Sequence, residues 1–168
     1  RKLVMIAGRT DVTMLSSFLN SEGQEYVAGL KEYIPAASTG NLIRARLEAG
    51  YETEAVVFCV SLPVPVRRLE GPGLRLWLVK RRPRRVIRDA YRTERHLFRS
   101  VLAESRAVAI NAHWADEYSV VALSQMERPV VITVHDHIGH ILRWMPLDHL
   151  GGFLIAQWVL RKGRYFSA

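Results

Sequence analysis

Two turns hold the side chains best able to do chemistry. The apolar run Ala107–Ala112 ends at His113 and Trp114, and the run Pro129–Val134 ends at His135, Asp136 and His137. An imidazole titrates close to neutral pH, so it can donate, accept or carry a proton at a ligand hydroxyl or phosphate. Asp136 would add a carboxylate acceptor beside it, although an aspartate before an apolar segment also serves as a helix N-cap. For His113 the plainer alternative is a capping histidine at the edge of the core. His135, His137 and His140 have close spacing of the kind seen in zinc sites, yet a full ligand set would need residues from other loops. No metal is expected. Trp114 and Trp144 read as packing residues.

These turns need elements that bring them together. Each apolar run has strand length and β-branched composition. Between them Asp116–Gln125 places Tyr118, Val121, Ala122 and Leu123 at a spacing that suits a short helix. Strand, helix, strand is a parallel crossover, which sets both strand C-termini on one sheet edge. Ligands of open α/β sheets bind along that edge, so His113 and the 135–137 cluster are expected to face one crevice.

The rest of the chain alternates in the same way. Lys2–Ala7 reads as the first strand, with Val12–Phe18 competing for that place. Asn20–Thr39 has weak periodicity, and Pro35–Gly40 reads as a loop. Ser38 or Thr39 then caps a helix over Asn41–Ala49 that Gly50 ends. Thr53–Val60 is nearly continuous in apolar residues, as a strand buried on both faces should be. Ser61–Gly73, with Pro63, Pro65, Gly71, Pro72 and Gly73, reads as a loop. Leu74–Val79 is a third strand whose Arg75 suggests an edge. From Pro83 a long helix is expected, with Val86, Ala90, Leu97, Val101 and Leu102 inward and arginines outward. Leu147–Leu160 is an apolar helix ended by Arg161, Lys162 and Gly163, and a strand-like segment closes the chain at Ala168. With no repeat and no internal linker, residues 1–168 are expected to form one Rossmann-like, doubly wound α/β domain on a mainly parallel sheet.

Composition narrows the class. Of 168 residues, 49% are hydrophobic and 24% charged, which describes a globular chain and excludes a disordered one. The single cysteine, Cys59, sits in an apolar run and reads as a buried thiol; it cannot form an internal disulfide, which suits the cytoplasm. No apolar run has the length of a membrane span, and the start has no signal-peptide pattern. Starting at Arg1, the chain reads as a piece of a longer protein. The net charge of +8 gathers between Lys80 and Arg106, where ten Lys and Arg face three carboxylates. This run could be a solvated face, attach to anionic lipid, or bind nucleic acid, for which no recognition module is visible.

The motifs carry a family likeness. Asn111-Ala-His113-Trp114, a short helix, and Pro129-Val-Val-Ile-Thr-Val-His135-Asp136 resemble the N-terminal domain of retaining GT-B fold glycosyltransferases of the family 4 type. The helix at Asn41–Ala49 followed by Gly50-Tyr-Glu-Thr-Glu-Ala-Val-Val, and the closing Arg164-Tyr-Phe-Ser-Ala168, are similar to further segments of that domain. The resemblance runs from about Gly40 to the end and is strongest over 107–136. It implies a sugar-nucleotide donor, a glycan or lipid-linked acceptor, and a role in polysaccharide or glycoconjugate synthesis without a cofactor. The compartment implied is the cytoplasm, with peripheral attachment of the Lys80–Arg106 run to the inner membrane face. It makes His113 the catalytic-site residue and puts His135, Asp136 and Trp114 at the substrate. Gly40 and Asn41 fall near the donor phosphates, where Ala37–Asn41 is the nearest substitute for the family's glycine-rich turn. It also implies a C-terminal nucleotide-binding domain that these residues do not include, so the segment alone is expected to be inactive. The rival expectation is a non-enzymatic Rossmann-like module that binds an anionic polymer or membrane through the arginine-rich helix.

Overall fold

The computed structural model describes residues 3–30, 37–83, 89–125, 127–135 and 150–167. Expectations for Val86, Asp136, His137, His140 and Trp144 lie outside them. The elements are β1 (Val4–Ala7), a 3-10 helix (Val12–Phe18), α1 (Ser21–Ala28), α2 (Ala37–Glu48), β2 (Thr53–Cys59), β3 (Val66–Gly71), β4 (Leu74–Lys80), α3 (Arg92–Glu104), β5 (Ala109–His113), α4 (Glu117–Leu123), β6 (Val130–Thr133), α5 (Leu150–Lys162) and β7 (Tyr165–Ser167). The seven strands lie in the order β3-β4-β2-β1-β5-β6-β7. All neighbours run parallel except the β3–β4 hairpin. The fold is α/β with a mainly parallel, Rossmann-like sheet. The strand order reverses at β1, which has β2 on one side and β5 on the other, and a crevice opens at such a reversal.

Alternation along the strands builds a core on each face. Met5, Val56, Phe58, Trp77, Ile110 and Ile132 meet Phe98, Val101, Tyr118, Val121 and Val159 from α3, α4 and α5. On the other face Ile6, Ala55, Val57, Leu76 and Leu78 meet Leu15, Val27 and Ile43, contributed by the 3-10 helix, α1 and α2. Strand β2 is buried along its whole length, Thr53 and Glu54 included, as its nearly continuous apolar run predicts.

The structure corrects several expectations. Val12–Phe18 is no strand. Asp11 Oδ1 accepts from the Thr13 N–H at 3.0 Å and from its hydroxyl at 2.6 Å, and this cap turns the chain into a 3-10 helix. Asn20 caps α1 in the same way through the Gly23 N–H at 2.8 Å. Helix α2 starts at Ala37, so Ser38, Thr39 and Gly40 form its first turn and neither Ser38 nor Thr39 is a cap before it. The expected loop Ser61–Gly73 contains strand β3. Arg75 marks no edge: β4 lies between β2 and β3, and Arg75 pairs with Glu54 at 3.2 Å and Glu70 at 3.0 Å. Helix α3 does not begin at Pro83. Ala90 and Tyr91 adopt left-handed backbone (φ 49° and 59°), which breaks any helix upstream of Arg92, so Ala90 is not on its buried stripe.

Candidate functional site

Strands β5 and β6 pair in register, with His113 beside Thr133, so their carboxyl ends finish level. Two residues beyond Thr133 the chain brings His135 back onto His113. His113 Nδ1 and His135 Nε2 are 2.8 Å apart, one donating to the other according to tautomer. The rings stack at 5.0 Å, and Trp114 tilts against His135 at 4.8 Å. His113 is buried and His135 exposed, so the pair runs from the core edge to solvent.

Backbone restraints hold this corner. Trp114 has a left-handed conformation (φ 72°), uncommon for a bulky residue. Its N–H donates to the Thr133 carbonyl at 2.8 Å, and its own carbonyl accepts from the Ser119 hydroxyl in the first turn of α4. Asp116 caps α4 through the Tyr118 N–H at 3.1 Å. Such strain clusters where a structure over-determines a site.

The first strand supplies the opposite wall. A Cβ built on Gly8, directly after β1, would lie 2.9 Å from His113 Cβ and 2.9 Å from Thr39 Cγ2. Only glycine lets β1, β5 and the first turn of α2 approach this closely. Three buried polar atoms here have no hydrogen-bond partner among the described residues: Thr39 Oγ1, His113 Nε2 and Trp114 Nε1. Buried polar groups are nearly always paired, so these are positions at which a ligand or water can bond. Arg9, half exposed, reaches Asp116 at 3.2 Å and Glu117 at 3.9 Å, and Arg81 takes the other Glu117 oxygen at 3.1 Å.

Electrostatics define what the pair can do. Burial, aided by the neighbouring His135, pushes the His113 pKa down to about 4, so its ring is neutral at physiological pH. With one proton between the facing nitrogens, His113 Nε2 is a bare acceptor when Nδ1 donates and a bare donor when it accepts. Asp116 is held above the usual carboxylate range by burial and by Glu117, against the opposing pull of Arg9.

The structure thus brings His113, Trp114 and His135 together, and Asp136 lies outside the described residues. Gly40 is buried against Met14 and Thr10, Asn41 is exposed, and it is Thr39 that faces Gly8. Sequence reasoning missed Gly8, Arg9, Thr39 and Asp116. A glycine immediately after the apolar run 3–7 was the available signal for Gly8. Among the described residues no three His, Cys, Asp or Glu side chains gather as a metal site. Three arginines of the Lys80–Arg106 run are engaged internally: Arg81 with Glu117, Arg82 with Asp89 and Glu94, and Arg99 with the Ser124 carbonyl.

Fold and site together define a Rossmann-like α/β domain with a histidine pair at the reversal of strand order. No known family model, curated protein or solved structure matches the chain.

Proposed function

We propose that this chain is the acceptor-side, N-terminal half of a GT-B fold glycosyltransferase that moves a sugar from a nucleotide to a glycan or lipid-linked acceptor. The observation that carries the reading is the His113–His135 contact at 2.8 Å, set beside Gly8 at the switch point of the sheet. Sugar transfer develops positive charge on the sugar and negative charge on the departing phosphate, and preorganised polar groups stabilise that separation. A neutral His113 offers Nε2 to a sugar hydroxyl, and Thr39 Oγ1 and Trp114 Nε1 add a hydroxyl and an indole donor in the same corner. Trp114 gives an aromatic surface, and Arg9 adds positive charge near the mouth. The nucleotide would be held by a second domain.

The test uses the full-length parent protein, assayed with a set of nucleotide sugars for release of nucleoside diphosphate. Sugar-dependent turnover is expected, and His113→Ala should lower it about 100-fold or more while far-UV circular dichroism still shows the folded domain. Turnover that His113→Ala leaves unchanged would remove His113 from the reaction, and no release with any donor would remove the assignment.

A further inference from the structure

Helix α5 has an unusual outer face. From Gly151 to Leu160 the only polar side chain is Gln157, and although Ala156 and Val159 are fully buried, Leu154 is 62% and Trp158 40% exposed. Leu154, Trp158 and Lys162 follow one another at i, i+4 and i+8, so they form a single stripe. Trp158 is the wall between two open grooves. One, of about 460 Å³, is also lined by Tyr91, Arg95, Val120, Leu154 and Ile155. The other, of about 630 Å³, carries Leu123, Lys162, Arg164 and Tyr165. Just beyond, Tyr165 is 58% and Phe166 44% exposed on edge strand β7.

Among the described residues the charges around this ridge are mostly of one sign. Arg95 lies in the first groove, and Arg161, Lys162 and Arg164 are exposed at the end of the helix, with Glu127 in the second groove as the opposing carboxylate. A second copy of the chain docked here would set like charges against like, in a molecule already carrying +8. An anionic partner with an apolar interior is matched instead. Among the described residues no helix is long and apolar enough to cross a membrane. The thirteen described residues of α5 span roughly 20 Å, a length that suits a helix lying in the plane of the interface.

We propose that α5 and β7 form a membrane-interfacial surface: Leu154 and Trp158 enter the headgroup–acyl boundary of an anionic bilayer while Arg161, Lys162 and Arg164 meet its phosphates. Tryptophan favours this depth, with its ring apolar and its N–H wet, and an apolar face with basic residues beside it is the chemistry that holds a helix in the bilayer plane. The surface is independent of sugar transfer, so either assignment can fail without the other.

The experiment is sedimentation of the protein with phosphatidylcholine vesicles and with vesicles of equal phosphatidylcholine and phosphatidylglycerol. Binding is expected to the mixed vesicles and to be at least tenfold weaker to phosphatidylcholine alone, with a loss of roughly fivefold for each of Arg161, Lys162 and Arg164 changed to Gln. Leu154→Gln, which leaves the charge unchanged, should weaken binding about tenfold at an unaltered melting temperature. Brominated lipid should quench emission that Trp158→Phe removes. Absence of binding to mixed vesicles would overturn the proposal. So would binding that neither Leu154→Gln nor Trp158→Ala affects, or a solution dimer that Leu154→Gln dissolves.

Discussion

His113 carries a proton-linkage signature that can be read without any substrate. Its folded pKa of about 4 lies below the ordinary histidine value of 6.5, so the unfolded chain takes up a proton that the native ring refuses. Stability should therefore be unaffected by this residue above about pH 6.5 and be lost progressively as pH falls toward 4. The full loss is about 3 kcal/mol for a shift of this size at a buried ring. Asp116 acts in the opposite sense, because its raised carboxyl takes up a proton in the native state, so the informative quantity is the difference between parent and variant at each pH. Urea unfolding of the parent and of His113→Gln at pH 7 and pH 4.5 should show the parent losing about 2–3 kcal/mol more than the variant. Parallel pH profiles would mean that the ring is not held neutral. Gly8→Ala probes the same corner sterically. Its methyl would stand 2.9 Å from both His113 and Thr39, and the cost expected in the same unfolding measurement is about 1–3 kcal/mol.

At the scale of elements, Arg82 ties the chain just after β4 to the start of α3. Arg82 pairs bidentately with Asp89 at 2.8 and 2.9 Å and reaches Glu94, whose side chain is fully buried, at 2.7 Å. Arg82→Met would strand the Glu94 charge. Arg82 is itself a third exposed, so solvent moderates the loss to about 2–3 kcal/mol, below that of a wholly buried pair. Arg82→Met combined with Glu94→Leu should recover part of this in urea unfolding, whereas equal losses in the single and double variants would locate the cost in packing. Burial and register also explain which elements the sequence made legible. Strands β2, β5 and β6 lie between neighbours, so their apolar runs are direct consequences of position, and α4 was legible from the spacing of Tyr118, Val121, Ala122 and Leu123. Strand β3 was hidden because Val66-Arg-Arg-Leu-Glu-Gly lies on an edge. There Arg67 and Arg68 bond Glu22 and Glu104, contacts across 45 and 36 residues that no local pattern displays. The two histidines could be found because each ends a readable strand, whereas Gly8 and Thr39 join them only through the approach of β1 to α2.

At the scale of the molecule, the sheet is one wall shared by two cores. Neighbouring residues on a strand serve opposite sides: Leu76 belongs with the 3-10 helix and α2, and Trp77 with α3 and α4. Losing either helical layer would expose one face of every central strand, so neither layer should melt alone and the domain should unfold in one transition. Leu15 and Phe98 test this from opposite sides, each fully buried in a different core. Leu15→Ala and Phe98→Ala should each cost about 2–5 kcal/mol, equivalent to roughly 5–15 °C in melting temperature for a domain of this size. Circular dichroism follows all helices together, while the fluorescence of buried Trp77 reports on the Phe98 side of the sheet. If the sheet transmits the loss, Leu15→Ala will move both curves to the same lower midpoint although Leu15 lies across the sheet from that indole. A fluorescence midpoint left at its parent value, with only the circular dichroism curve displaced, would mean that the two layers are separately stable and that the crevice at the end of β1 sits on a seam.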